Sequence, residues 1–180
     1  MSEAGADLIE ELAVPHRAGR AYWRLMAFGS AAVPAARAGL THQSADVRFH
    51  CARYFDHFLT PAIVGDLMSR LDDPDPRVRW TALHTLACDR CKDGMCVPNE
   101  GALLDKAMAI VSADTDAHVR AHALELVGRA AHENEAALDA LQAAQRDDPS
   151  PAVRKKAAWY LPGGPIWRRT APRARRKRAA

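Results

Sequence analysis

Aromatic residues make up only 6% of this 180-residue chain. That scarcity, with abundant alanine and no strand-like alternation, disfavours a β-sandwich or barrel and suits closely packed helices. No stretch approaches the roughly 18 uninterrupted apolar residues of a membrane span, so no membrane partner is expected. The first fourteen residues carry Glu3, Asp7, Glu10 and Glu11 and lack a basic start followed by an apolar run. They do not read as a secretory signal, and a cytoplasmic protein is expected. Cysteine is limited to four residues, which without an export signal are expected as thiols or metal ligands, not a disulfide framework. There is no Gly-rich phosphate loop and no recognisable Ser, His, Asp nucleophile arrangement, so no catalytic residues are assigned.

Acidic residues are missing from Trp167 onward, where Arg168, Arg169, Arg173, Arg175, Arg176, Lys177 and Arg178 supply seven positive charges. The whole chain holds 25 basic and 22 acidic residues, so without this tail the body has 18 against 22 and is about −4. The net charge of +3 therefore describes the tail and not the body. Pro162, Gly163, Gly164 and Pro165 stop the last helix, and the like charges beyond them predict disorder. Such a tail can contact nucleic-acid phosphates in a salt-dependent, sequence-independent way, or dock on the acidic body or on an acidic partner.

What the chain has in plenty is repetition. Val47-Arg48, Val78-Arg79, Val119-Arg120 and Val153-Arg154 each open an Ala-rich pattern. Four residues after the Val stand Cys51, Ala82, Ala123 and Ala157, five after it Ala52, Leu83, Leu124 and Ala158, and eight after it Phe55, Leu86, Val127 and Leu161. Positions 0, 4, 5 and 8 form one apolar stripe on an α-helix. Asp, Ser and Pro precede each phrase, as in Asp72-Asp73-Pro74-Asp75-Pro76, and these residues cap helix starts or fit the first turn. Ahead of each turn lies another apolar helix, roughly 31–40, 62–71, 102–111 and 136–145. The unit is helix, tight turn, helix.

These residues resemble HEAT repeats, in which the second helix commonly follows an Asp-Pro-rich turn and opens on a Val-Arg phrase. The fullest match is Leu71-Asp72-Asp73-Pro74-Asp75-Pro76-Arg77-Val78-Arg79-Trp80-Thr81-Ala82-Leu83. The resemblance implies an all-α superhelix, or solenoid, of about four to five hairpins whose second helices line the concave side, and a scaffold that binds a protein partner. The expected organisation is degenerate N-terminal capping helices over 1–30, repeats over 31–161 with a Cys-rich insertion at 88–98, and a disordered basic tail over 162–180.

Successive Val positions are 31, 41 and 34 residues apart. The longest interval contains Cys88, Cys91 and Cys96 in a C-x2-C-x4-C pattern, with His84 one helical turn before Cys88. A thiolate-rich set with one imidazole suits a tetrahedral zinc ion stapling the loop. The alternatives are ordinary thiols, a fourth ligand from Asp89, Asp93, Cys51 or a second copy of the chain, or an open coordination position with catalytic potential. Cys51 falls in a register slot filled elsewhere by alanine and is expected in the core.

His50, Tyr54 and His57, Thr81 and Thr85, His122, and Lys156 and Tyr160 lie off the apolar stripe and are candidate partner-binding residues. Trp80 and Trp159 are expected to pack between units. His118 and His122 stand at i,i+4, but no carboxylate pattern accompanies them. His132-Glu133 occurs once, at a helix end, unlike the paired His-Glu sites of HEAT-like iron hydroxylases. HEAT-like DNA glycosylases share the helical repetition, yet no Asp plus aromatic constellation is placed here.

Overall fold

The computed structural model describes residues 5–87 and 100–170. Among them every regular element is helical, and the chain divides into two compact units, Met1–Glu100 and Gly101–Ala180. The first unit holds α1 (Ala6–Leu12), α2 (Pro15–Ala27), a 3-10 turn (Gly29–Ala32), α3 (Val33–Gly39), α4 (Ala45–Phe58), α5 (Pro61–Arg70) and α6 (Pro76–Ala87). The helices pack as three hairpins, α1 with α2, α3 with α4 and α5 with α6, and the second helices α2, α4 and α6 also pack in succession. The second unit holds α7 (Glu100–Ala113), α8 (Ala117–Ala130), α9 (Glu135–Asp147), α10 (Pro151–Tyr160) and a single turn α11 (Trp167–Thr170). Here α10 packs on both α8 and α9. The all-α, HEAT-like hairpin architecture expected from the register is what forms.

The helix starts follow local chemistry. Pro15, Pro61 and Pro151 occupy first-turn positions where a missing N–H costs no helical bond. Asp116 accepts from the N–H groups of His118 and Val119 at 2.8 and 3.0 Å, and Asn134 caps α9 through Ala137 N at 3.0 Å. Ser44 and Ser150, expected as caps, accept no such bond.

The apolar stripe is buried as the register requires. Val47, Val78, Val119 and Val153 are fully enclosed, and Cys51, Ala82, Ala123 and Ala157 fill the closest approach. Cys51 packs against Gly39, where a Cβ would collide with its sulfur, which explains a small residue on each side. Burial pushes the Cys51 thiol up to about 12, so it remains a neutral apolar filler.

Two expectations need correction. Residues 162–170, expected to be disordered, turn back on the second unit: Ile166 N donates to Trp159 O at 2.9 Å, and the Trp167 ring lies 3.9 Å from that of His132. Trp167 supplies the apolar surface that the basic composition obscured. Trp159, expected between units, is 38% exposed.

Candidate functional site

The four arginines of the repeated phrase perform one task four times. Arg48 Nη1 donates to the carbonyls of His42 and Gln43, both at 2.9 Å, and Arg79 Nη1 to those of Asp73 and Pro74 at 2.8 and 3.2 Å. Arg120 Nη1 reaches Asp114 O at 2.8 Å, and Arg154 Nη1 reaches Asp148 O and Pro149 O at 2.6 and 3.2 Å. Each guanidinium thus ties the start of its helix to the turn that precedes it, satisfying turn carbonyls that have no place in a helical ladder.

The remaining edge of the fork joins hairpins. Arg48 Nε and Nη2 donate to the two oxygens of Asp73 at 2.7 and 2.8 Å, and Arg120 does the same to Asp148 at 2.7 and 2.9 Å. All four side chains are at least nine-tenths enclosed, so these are buried bidentate pairs. The aspartates also fold their own turns. Asp73 accepts from Asp75 N at 3.0 Å, Asp114 from Asp116 N at 2.8 Å and Asp148 from Ser150 N at 2.8 Å. In the first complete hairpin His42 replaces the aspartate, and its Nδ1 accepts from Ser44 N at 3.0 Å. Asp148 stays below the usual carboxylate range: burial opposes its charge, but Arg120 and the Ser150 N–H outweigh that cost.

The row proposed from sequence for partner binding falls into two groups. Tyr54, Thr81, Thr85 and Tyr160 are buried, which corrects the expectation that they face a groove. Thr85 Oγ1 donates to Ala52 O of α4 at 3.1 Å, Tyr54 OH donates to Gly29 O, and the Tyr160 ring lies against Gly128. A second helix in a stack is flanked by second helices, so its buried arc is wider than the stripe of a one-sided amphipathic helix. Positions three and seven after the Val are consumed by that packing. Lys156 is likewise engaged, donating to Glu125 at 2.6 Å, and His122 lies 3.8 Å from the same carboxylate. His57 is exposed and His50 half-buried.

The row that reaches solvent instead falls at positions two, six and ten: half-buried Phe49 with exposed Arg53 and His57 on α4, then half-buried Trp80 and His84 on α6. In the first unit it continues onto α2 through Trp23, which is 66% exposed. Arg53 lies 4.5 Å above the Tyr22 ring, Tyr22 and His50 are 5.5 Å apart, Arg77 lies 5.8 Å from the Phe49 ring, and Trp80 stacks on His84 at 6.0 Å. His50 Nδ1 is enclosed and makes no hydrogen bond. Burial, then the nearby Arg53, lowers the His50 pKa and favours a neutral imidazole. The surface is therefore aromatic and cationic, with adaptable cation-π pairs. The cue in sequence was the recurrence of aromatic and cationic residues at positions two and six.

His84 Nε2 lies 3.7 Å from Asp56 Oδ2. Cys88, Cys91 and Cys96 lie outside the described residues, as do Arg173, Arg175, Arg176, Lys177 and Arg178. Arg168 and Arg169 are described and exposed. Among the described residues no group of three His, Cys, Asp or Glu is placed to hold a metal ion, and no helix is long and apolar enough to cross a membrane. A surface cleft of about 500 Å³ between α3 and α5 is lined by Pro34, Arg37, Thr41, Asp66 and Arg70. Its opposed charges already pair, Arg37 with Asp66 at 2.7 Å.

Residues 19–92 match the family described as HEAT repeats, a span that contains α3, α4, α5, α6 and the later part of α2. No curated protein matches the chain.

Proposed function

Because the chain is a HEAT-repeat protein over residues 19–92, we propose that it works as a scaffold for a protein partner, held along the second-helix face of the first unit. The observation that carries this reading is the aromatic and cationic row of exposed Trp23 and Arg53 with half-buried Phe49 and Trp80, on a unit in which the Arg48–Asp73 pair locks α4 to the following hairpin. Exposed aromatics beside arginine are what interface hot spots are made of. A rigid backbone lowers the ordering cost of binding. Proteins retained by the wild-type chain are compared with those retained by a Trp23→Ala, Arg53→Ala variant of unchanged helical content. Selective loss of a partner supports the reading, and identical retention overturns it.

We further propose that Cys88, Cys91 and Cys96 hold a structural zinc ion, with His84 as fourth ligand. Support comes from the C-x2-C-x4-C spacing and from the Asp56 carboxylate beside His84, an arrangement that fixes the orientation of metal-binding imidazoles. Zinc at one equivalent in tag-free protein, lost in Cys91→Ser, is the expected result. Nucleic-acid binding through the basic tail is the other reading, motivated by its seven cations. Salt-sensitive retention that disappears on deletion of residues 167–180 separates it from the scaffold.

A further inference from the structure

The clamp arginines are not equally satisfied. Arg48 and Arg120 use Nη1 on their own turn and Nε with Nη2 on an aspartate of the following hairpin. Arg154 makes the first set of bonds, to Asp148 O and Pro149 O, and among the described residues no carboxylate meets its other edge. The apolar neighbour in the same register tells the same story. Ala52 and Leu124, five residues after their Val and facing the next hairpin, are fully buried, whereas the equivalent Ala158 is half-buried. Trp159 beside it, at position six where internal hairpins also reach solvent, borders this face and is 38% exposed, with Lys155 Nζ 5.9 Å from its ring. Among the described residues, the outward face of α10 thus repeats one side of an internal junction without the other.

We propose that this face is a second docking surface, independent of the one on the first unit, for a partner protein that presents an aspartate in a turn between two helices. The carboxylate enters the Nε and Nη2 edge of Arg154 and the flanking helix covers Ala158 and Trp159. The occupant follows from charge and shape. Residues 162–180 contain no Asp or Glu, so that segment has no acidic side chain to fill the fork. A second copy stacked head to tail presents its first hairpin, and the α1–α2 turn there, Ala13 and Val14, holds no carboxylate where the register needs an aspartate. A planar guanidinium held at one edge is pre-organised for a bidentate carboxylate.

The test uses the full chain and a displayed library of helical hairpins with randomised turns and inner faces. Selected binders are expected to carry an aspartate in the turn. They should lose about tenfold to a hundredfold in affinity for Arg154→Gln, the range of one charge-assisted pair, and bind Arg146→Gln normally. Because Arg154→Gln also loses bonds to its own turn, Trp159→Ala is measured in parallel and is expected to weaken the same binders without altering the thermal midpoint. The proposal is overturned by selection of no binder to this face, by binders without an acidic turn, or by binders indifferent to both variants. Self-association of the chain that Arg154→Gln abolishes would also overturn it, since the occupant would then be a second copy.

Discussion

Replacing Asp148 by asparagine tests the idea that the repeated arginine joins hairpins. Asparagine retains an oxygen for Ser150 N, which Asp148 holds at 2.8 Å, so the local turn survives. It cannot take both Nε and Nη2 of Arg120, now bonded at 2.7 and 2.9 Å, and it leaves that cation without its counter-charge. With the two side chains only 8% and 4% exposed, water cannot substitute. Removing one member of such a buried pair costs about 3–5 kcal/mol. For a chain of this length each kcal/mol lowers the midpoint by about 2–4 °C, giving a fall of roughly 6–20 °C. Circular dichroism during thermal unfolding reads the total. Hydrogen exchange of α9 and α10 peptides reads whether the loss is local, as it should be where each repeat contacts only its neighbours. Arg120→Met combined with Asp148→Leu should recover much of the stability, less about 2 kcal/mol for the two lost turn bonds, Arg120 Nη1 to Asp114 O and Ser150 N to Asp148. The exposed Arg37–Asp66 pair is the control, expected to contribute about 0–1 kcal/mol. A loss for Asp148→Asn no larger than that of the control refutes the reasoning.

Asp75 and Asp148 both sit below the ordinary carboxylate range, Asp75 chiefly through its hydrogen bond to Arg77 and Asp148 because Arg120 and Ser150 outweigh burial. A depressed folded pKa contributes stability that is fully present above the unfolded value of about 3.9 and lost as pH falls through the folded one. Urea unfolding from pH 7 to pH 3 should therefore show a decline below about pH 4 that is shallower in Asp148→Asn. Gly128→Ala should cost about 1–3 kcal/mol by overpacking, since its new methyl meets the Tyr160 ring; an unchanged midpoint would contradict the close approach of α8 and α10. Mass mapping of alkylated thiols should find Cys51 unmodified in the native protein and modified in urea, as burial and a pKa near 12 require.

Much of the fold was legible because its causes are periodic. The Val, Ala and Leu positions of the stripe, the Asp-Pro turns and the approximate helix limits all follow from nearest-neighbour chemistry, and α1 and α2 form within the span expected to hold capping helices. The candidate surface was less legible. Tyr54 and Thr85 look solvent-facing when a helix is imagined with one buried side, and are enclosed because α4 and α6 each have helical neighbours along their flanks.

The repeated Val-Arg phrase alone determined the hairpin register, the core role of Cys51 and the irregular interval carrying three cysteines, since each depends only on spacing along the chain. Only the tertiary structure decided what the arginine is for. Its two edges bond to a turn five or six residues back and to a carboxylate 25 or 28 residues ahead, and the second contact exists only when hairpins stack. It also showed that Arg154 repeats the first half of that arrangement and not the second, a difference that four identical dipeptides cannot express.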